Sequence, residues 1–318
     1  MTSAIRTEQL TKGYGRRPGI VGLSLEVQPG EIFGFIGPNG AGKTTTIRLL
    51  LDLLRPTSGR ATVLGRDAHR DGVAVRRLTG YLPGEFGLDP RMSGRQLLTY
   101  FARLRSMDNL GDAPALAARL DLDLDLPMGR MSKGNRQKIG LIQALFHRPA
   151  LLILDEPTTG LDPLIQDSFV QIMRDVRDEG RTVFLSSHIL SEVERVCDRV
   201  AIVRASHLAA LETTESLLEK RRKRVTLVFD RPVDPAPFAQ LPGVSDVTVQ
   251  GNAVSLRLQD GVDAVVKLAS HYTLVDLSVE HPSLDEVFMG YYETQPPVMP
   301  GNAAPPAAPN WGPGGWPS

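Results

Sequence analysis

Glu31-Ile32-Phe33-Gly34-Phe35-Ile36 runs straight into Gly37-Pro38-Asn39-Gly40-Ala41-Gly42-Lys43-Thr44, and this stretch decides the fold. The first six residues read as an apolar strand. The next eight satisfy the pattern G-x-x-x-x-G-K-[ST]. Thr45–Leu54 then carries apolar residues at helical spacing. Strand, glycine-rich loop and helix in that order suit one task. Gly40 and Gly42 let the backbone curl so that successive N–H groups face a single anion, aided by the positive end of the following helix. Lys43 places a point charge on the outer phosphates, and the Thr44 hydroxyl is a ligand for Mg²⁺. The loop residues Gly37, Pro38, Asn39, Gly40, Ala41, Gly42, Lys43 and Thr44, with Thr45 behind them, are therefore expected to bind a nucleotide.

Further along, Ala150–Leu154 is an apolar run that ends in Asp155-Glu156. Consecutive Leu and Ile residues read as a buried parallel strand, and ligands of open α/β sheets sit at the carboxyl ends of such strands. Asp155 is expected to hold Mg²⁺ through water, and Glu156 to orient and deprotonate an attacking water. Residues 1 to about 215 alternate short Val/Ile/Leu runs with helix-like stretches, the pattern of an α/β domain. Guanine-specific proteins of this loop class read their base with Asn-Lys-x-Asp, which this chain lacks.

Composition narrows the class. The chain has 318 residues, about two domains' worth, with 42% hydrophobic and 23% charged residues, ordinary values for a globular core. Lys plus Arg (36) equals Asp plus Glu (36), so the net charge is zero and a nucleic-acid partner is not expected. Cys197 is the sole cysteine, which excludes an internal disulfide and fits a reducing compartment. No apolar run approaches the roughly 18 residues of a membrane span, and Met1–Gln9 carries no signal pattern.

Several further motifs accompany the phosphate loop. Thr11-Lys12-Gly13-Tyr14-Gly15 precedes it. Met131-Ser132-Lys133-Gly134-Asn135-Arg136-Gln137-Lys138 follows, then Asp155-Glu156-Pro157-Thr158, Gly160-Leu161-Asp162 and Ser186-Ser187-His188. In this order the set resembles the nucleotide-binding subunit of an ATP-binding cassette (ABC) transporter over residues 4 to about 215. The resemblance implies a P-loop NTPase domain with a helical insert, ATP and Mg²⁺ as ligands, and ATP hydrolysis. It implies that Tyr14 stacks on adenine and that His188 links Glu156 to the attacking water and the γ-phosphate. Ser132, Gly134 and Asn135 would reach the ATP of a second copy, so the implied active species is a head-to-tail homodimer. Asp162 is expected to shape that dimer interface.

Two departures from the family pattern stand out. The glutamine loop, usually Tyr-x-Pro-Gln, reads Tyr81-Leu82-Pro83-Gly84-Glu85, and Glu85 is expected to substitute, at the metal through water or at the permease. Lys133 and Asn135 replace the usual Gly and Gln of the signature; Asn135 can still hydrogen-bond and Lys133 adds charge near phosphate. With no span of its own, the subunit is expected on the cytoplasmic face of the cell membrane, bound to a separate integral-membrane permease. The ending Pro282-Ser283-Leu284-Asp285-Glu286-Val287-Phe288 resembles the exporter branch that includes antibiotic-resistance and multidrug efflux subunits. Drug or antibiotic efflux is the leading cargo reading, against lipid or polysaccharide. A soluble ABC ATPase of ribosome or DNA, or a module without hydrolysis, is the reading from another class.

After the basic run Lys220-Arg221-Arg222-Lys223-Arg224, residues 220–293 read as an accessory α+β unit. Strands at Val225–Phe229, Val244–Val249, Ala253–Leu258 and Leu274–Val279 alternate with helices at Pro235–Leu241 and Val262–His271, the order β-α-β-β-α-β of a ferredoxin-like sandwich. Ser283-Leu284-Asp285-Glu286 is a capping box opening a last helix. Residues 294–318 contain no charge and 12 Pro or Gly among 25, so a disordered tail is expected, carrying Trp311 and Trp316. The cassette itself is assigned to residues 1–219, with its helical part at about 85–145.

Overall fold

The structure, a computed structural model, describes residues 3–85, 87, 89–219, 223–258 and 261–280. The expected capping box at Ser283 and the Pro/Gly-rich tail lie outside these residues. The chain opens with two long antiparallel strands, β1 (Ile5–Tyr14) and β2 (Arg17–Val27), followed by β3 (Ile32–Ile36) and helix α1 (Lys43–Leu50). Next come β4 (Ser58–Val63), β5 (Arg66–Asp67), α2 (Gly72–Leu78) and β6 (Thr79–Leu82). Helices α3 (Gly94–Leu104), α4 (Ala113–Arg119) and α5 (Lys133–Leu145) form the helical part. The sheet resumes with β7 (Leu151–Asp155), α6 (Pro163–Asp178), β8 (Thr182–Ser187), α7 (Leu190–Val196), β9 (Arg199–Arg204), β10 (His207–Thr213) and α8 (Thr214–Glu219).

Strands β9, β3, β8, β7 and β6 lie parallel in that order, with β10 antiparallel at the β9 edge. The side-chain period of two explains why β3 is apolar throughout. Phe33 and Phe35 face a core shared with Ile5, Leu10, Leu23, Val63 and Ile47, and both rings pack on Phe184. Ile32 and Ile36 face the other way, into a core built with helices α5, α6 and α7. Gly34 lies on that second side, where a Cβ would come within 2.8 Å of Val193 Cγ1 and 3.0 Å of Cys197 Sγ, so glycine lets α7 approach the sheet. Strands β2, β1, β4 and β5 make a second, antiparallel sheet over the first core.

Beyond α8 the chain builds β11 (Lys223–Phe229), α9 (Ala236–Ala239), β12 (Val244–Gln250), β13 (Ala253–Leu258), α10 (Asp263–Ala269) and β14 (Leu274–Glu280). These strands form an antiparallel sheet in the order β12-β13-β11-β14. Val225, Leu227 and Phe229 alternate into a separate core with Val254, Leu256, Phe238 and Val265.

Candidate functional site

Three loops converge at the carboxyl ends of β3, β7 and β8. The first follows β3. Gly40 and Gly42 take φ values of 80° and 107°, the left-handed conformations that curl the loop toward one point. A Cβ on Gly42 would sit 2.2 Å from the Gly19 carbonyl oxygen, and one on Gly37 2.3 Å from the Val203 oxygen, so both positions are sterically closed to any side chain. Helix α1 starts at Lys43, two residues before the sequence spacing indicated, because Gly42 itself makes the turn into the helix. It closes earlier too: the expected run to Leu54 stops at Leu50, and Asp52 turns left-handed at φ 54°.

Lys43 is 6% exposed, and its Nζ donates to the Gly37 carbonyl at 2.7 Å and the Pro38 carbonyl at 3.4 Å. The same ammonium lies 3.2 Å from Glu156 Oε1. The other carboxylate oxygen of Glu156 is 2.6 Å from His188 Nδ1. Glu156 therefore bridges the loop lysine and the histidine that follows β8. Its backbone is held left-handed, at φ 52°, with its N–H donated to the Ser186 carbonyl at 3.1 Å. A non-glycine residue in that region costs of order 1 kcal/mol, which the surrounding hydrogen bonds offset.

Asp155 ends β7 and is 2% exposed. Its Oδ2 accepts from the Thr44 hydroxyl at 2.8 Å, and its Oδ1 from the Ser186 hydroxyl at 2.5 Å. These are hard oxygen donors. No group of three or more His, Cys, Asp or Glu side chains suited to an ion occurs among the described residues. The Thr44–Asp155 pair thus fits Mg²⁺, which binds through one or two protein oxygens and completes its shell with phosphate and water.

An open cleft of about 520 Å³ lies over the loop. It is lined by Pro38, Asn39, Gly40, Gly42, Lys43, Thr44 and Thr45 from the loop and α1, by Glu156, and by Tyr14, Arg17, Pro18 and Gly19 from the β1–β2 hairpin. Tyr14 is 48% exposed, and Lys12 Nζ stands 5.6 Å from its ring centroid. Ala41 belongs to the loop but is buried beneath it. Arg17, Pro18 and Gly19 were not legible from the motifs: nothing local marks a hairpin turn as facing a loop more than 20 positions away.

The signature residues sit elsewhere. Ser132 is the N-cap of α5 and accepts from the Asn135 N–H at 3.1 Å. A Cβ on Gly134 would lie 2.6 Å from the Gly160 carbonyl oxygen, so the signature and the following loop are packed against each other. Ser132, Gly134 and Asn135 do not line the cleft of their own chain. Gln137, part of the signature stretch but given no role by the sequence, is buried and donates through Nε2 to the Glu156 carbonyl at 3.2 Å and the Pro157 carbonyl at 3.1 Å. It ties the signature helix to the strand-end acid. Asp162 caps α6 by accepting from the Ile165 N–H at 3.0 Å.

Position 84, not 85, is aimed at the acid. A Cβ on Gly84 would lie 3.5 Å from Asp155 Oδ2, an ordinary contact distance. Glu85 is exposed, and no hydrogen bond or ion pair joins it to Thr44 or Asp155 among the described residues.

Residues 20–159 match the ABC transporter family. Nod factor export ATP-binding protein I of Rhizobium meliloti (strain 1021) is 34% identical over 296 residues, covering 91% of this chain and 88% of that protein. Daunorubicin resistance ATP-binding protein DrrA3 of Streptomyces coeruleorubidus is 34% identical over 300 residues, 90% of this chain and 95% of its own length. A solved structure described as the ATP binding subunit of an ABC transporter superposes with a TM-score of 0.63 at 28% identity, over 68% of this chain and 92% of that one.

Proposed function

Since the chain belongs to the ABC transporter family, we propose that it is the ATP-hydrolysing subunit of an exporter whose permease is a separate polypeptide. The observation that carries this reading is the bridge Lys43–Glu156–His188 set beside Thr44–Asp155 at one end of the cleft. Glu156 is paired with Lys43. A γ-phosphate brings more charge to Lys43 than one carboxylate does, so binding frees Glu156 to accept a proton from water. His188 holds the other oxygen of that carboxylate and fixes its orientation. Thr44 and Asp155 would hold Mg²⁺, which would neutralise phosphate charge there.

Ser132, Gly134 and Asn135 do not line this cleft, which supports a head-to-tail homodimer in which each copy completes the other's site. A groove of about 280 Å³ lined by Leu51, Leu53, Tyr81, Pro83, Phe101 and Arg105 is the proposed seat of the permease. Leu53, Tyr100 and Leu104 are 50%, 54% and 63% exposed around this helical part, apolar area that a partner would cover. No helix among the described residues is long and apolar enough to cross a membrane, in keeping with a peripheral subunit. Residues 1–219 are the proposed cassette and 220–293 the accessory unit. Its element order and sheet order, with the first strand between the fourth and third, support a ferredoxin-like reading.

The relatives are named for Nod factor export and daunorubicin resistance, and we assign this chain to the efflux of a drug-like or antibiotic cargo. Inverted membrane vesicles containing this chain and a candidate multi-span permease should accumulate daunorubicin with ATP. Vesicles lacking either protein should not. Accumulation that is unaffected by omitting this chain would overturn the reading.

A further inference from the structure

The hairpin that joins β1 to β2 turns in two residues. Tyr14 and Arg17 are directly opposite across it, and Gly15, at φ 61°, makes the left-handed turn. Opposed residues of an antiparallel pair project from the same face with Cβ atoms about 5 Å apart. Both side chains line the nucleotide cleft. Arg17 is exposed, and its guanidinium is engaged by no hydrogen bond or ion pair among the described residues. Lys43, the other cation of the lining, is already taken by two carbonyls and Glu156.

The hairpin is also shaped to hold Tyr14 still. A Cβ on Gly19 would come within 2.8 Å of Tyr14 Cε2 and 3.0 Å of Thr45 Cγ2. The ring therefore rests in a recess that only glycine leaves open, against the methyl of the residue that follows the phosphate loop. A purine stacked on this ring points its ribose and first phosphate along the hairpin toward the loop.

We infer that Arg17 is a nucleotide-binding residue that grips the α-phosphate of the nucleotide whose base stacks on Tyr14. The inference rests on the nucleotide reading of the cleft given above. The loop N–H groups cradle the α- and β-phosphates from one side, and Lys43 reaches the outer phosphates. The α-phosphate is the one nearest the base, and its other side faces the hairpin, where the cross-strand partner of Tyr14 delivers a planar fork of donors. A guanidinium matches two phosphate oxygens at once, the stronger class of hydrogen bond.

The test is competition binding of ATP, ADP and AMP against a fluorescent ATP analogue, using the full chain. Arg17→Gln should weaken all three by the same factor, about tenfold, because the α-phosphate is common to them. Arg17→Lys, which keeps the charge without the fork, should recover part of the loss. Lys43→Ala should instead penalise ATP and ADP more than AMP. Arg17→Gln binding all three as the unaltered chain does, or losing affinity for ATP alone, would overturn the assignment. Lys43→Ala binding ATP normally would mean that the cleft reading itself had failed, independently of Arg17.

Discussion

Gly42 has no room for a methyl group: its Cβ direction runs into the Gly19 carbonyl at 2.2 Å, and its φ of 107° is closed to L side chains. The phosphate loop and the hairpin that carries Tyr14 meet at this atom pair, so the two halves of the cleft share one steric constraint. Gly42→Ala should therefore reduce ATP affinity at least tenfold while leaving the chain folded, measured by equilibrium binding and thermal unfolding. Wild-type affinity in that variant would show that the loop does not need the curl. The same scale explains what motifs could and could not show. Lys43, Thr44, Asp155 and Glu156 were legible because phosphate chemistry fixes both residue type and spacing. The contact of Glu156 with Lys43 was not, since it joins positions over a hundred residues apart and exists only once β3, β7 and β8 lie parallel.

At the scale of elements, ends are where reading and structure part. The signature helix runs from Lys133, directly after Ser132, because the Ser132 hydroxyl satisfies the Asn135 N–H. In the accessory unit the helix expected over Pro235–Leu241 contracts to Ala236–Ala239, within a stretch that holds two prolines, Pro235 and Pro237. Strand β13 matches its expected span, Ala253–Leu258, since turn residues bound it on one side and alternation marks its faces. The role of Gln137 was not legible because a polar residue in a helix gives no sign of being buried. Ser132→Ala should lower unfolding free energy by about 1 kcal/mol through the lost cap. It should leave ATP affinity of the isolated subunit unchanged, because its own cleft does not include Ser132. Loss of affinity in a monomeric sample would contradict the placement of the signature.

At the scale of the whole molecule, the balance of charge leaves stability to the cores and to buried polar groups. Burial, reinforced by Arg105 and Arg181, pushes His147 down to about 3, so it stays neutral in the fold. The unfolded chain binds a proton there near pH 6.5 and the folded chain does not, so stability falls as pH drops from about 6.5 toward 3. His147→Phe should flatten the acid side of the melting-temperature profile relative to the unaltered chain; parallel profiles would remove this role. Assembly belongs to this scale too, and it returns to the bridge at the cleft. The most direct measurement is single-turnover ATP hydrolysis by Glu156→Gln, run beside ATP-dependent sedimentation of the same protein. The account predicts retained ATP binding, hydrolysis slowed about a hundredfold or more, and a stable dimer that forms only with ATP. Hydrolysis at the unaltered rate, with no change in assembly, would contradict it.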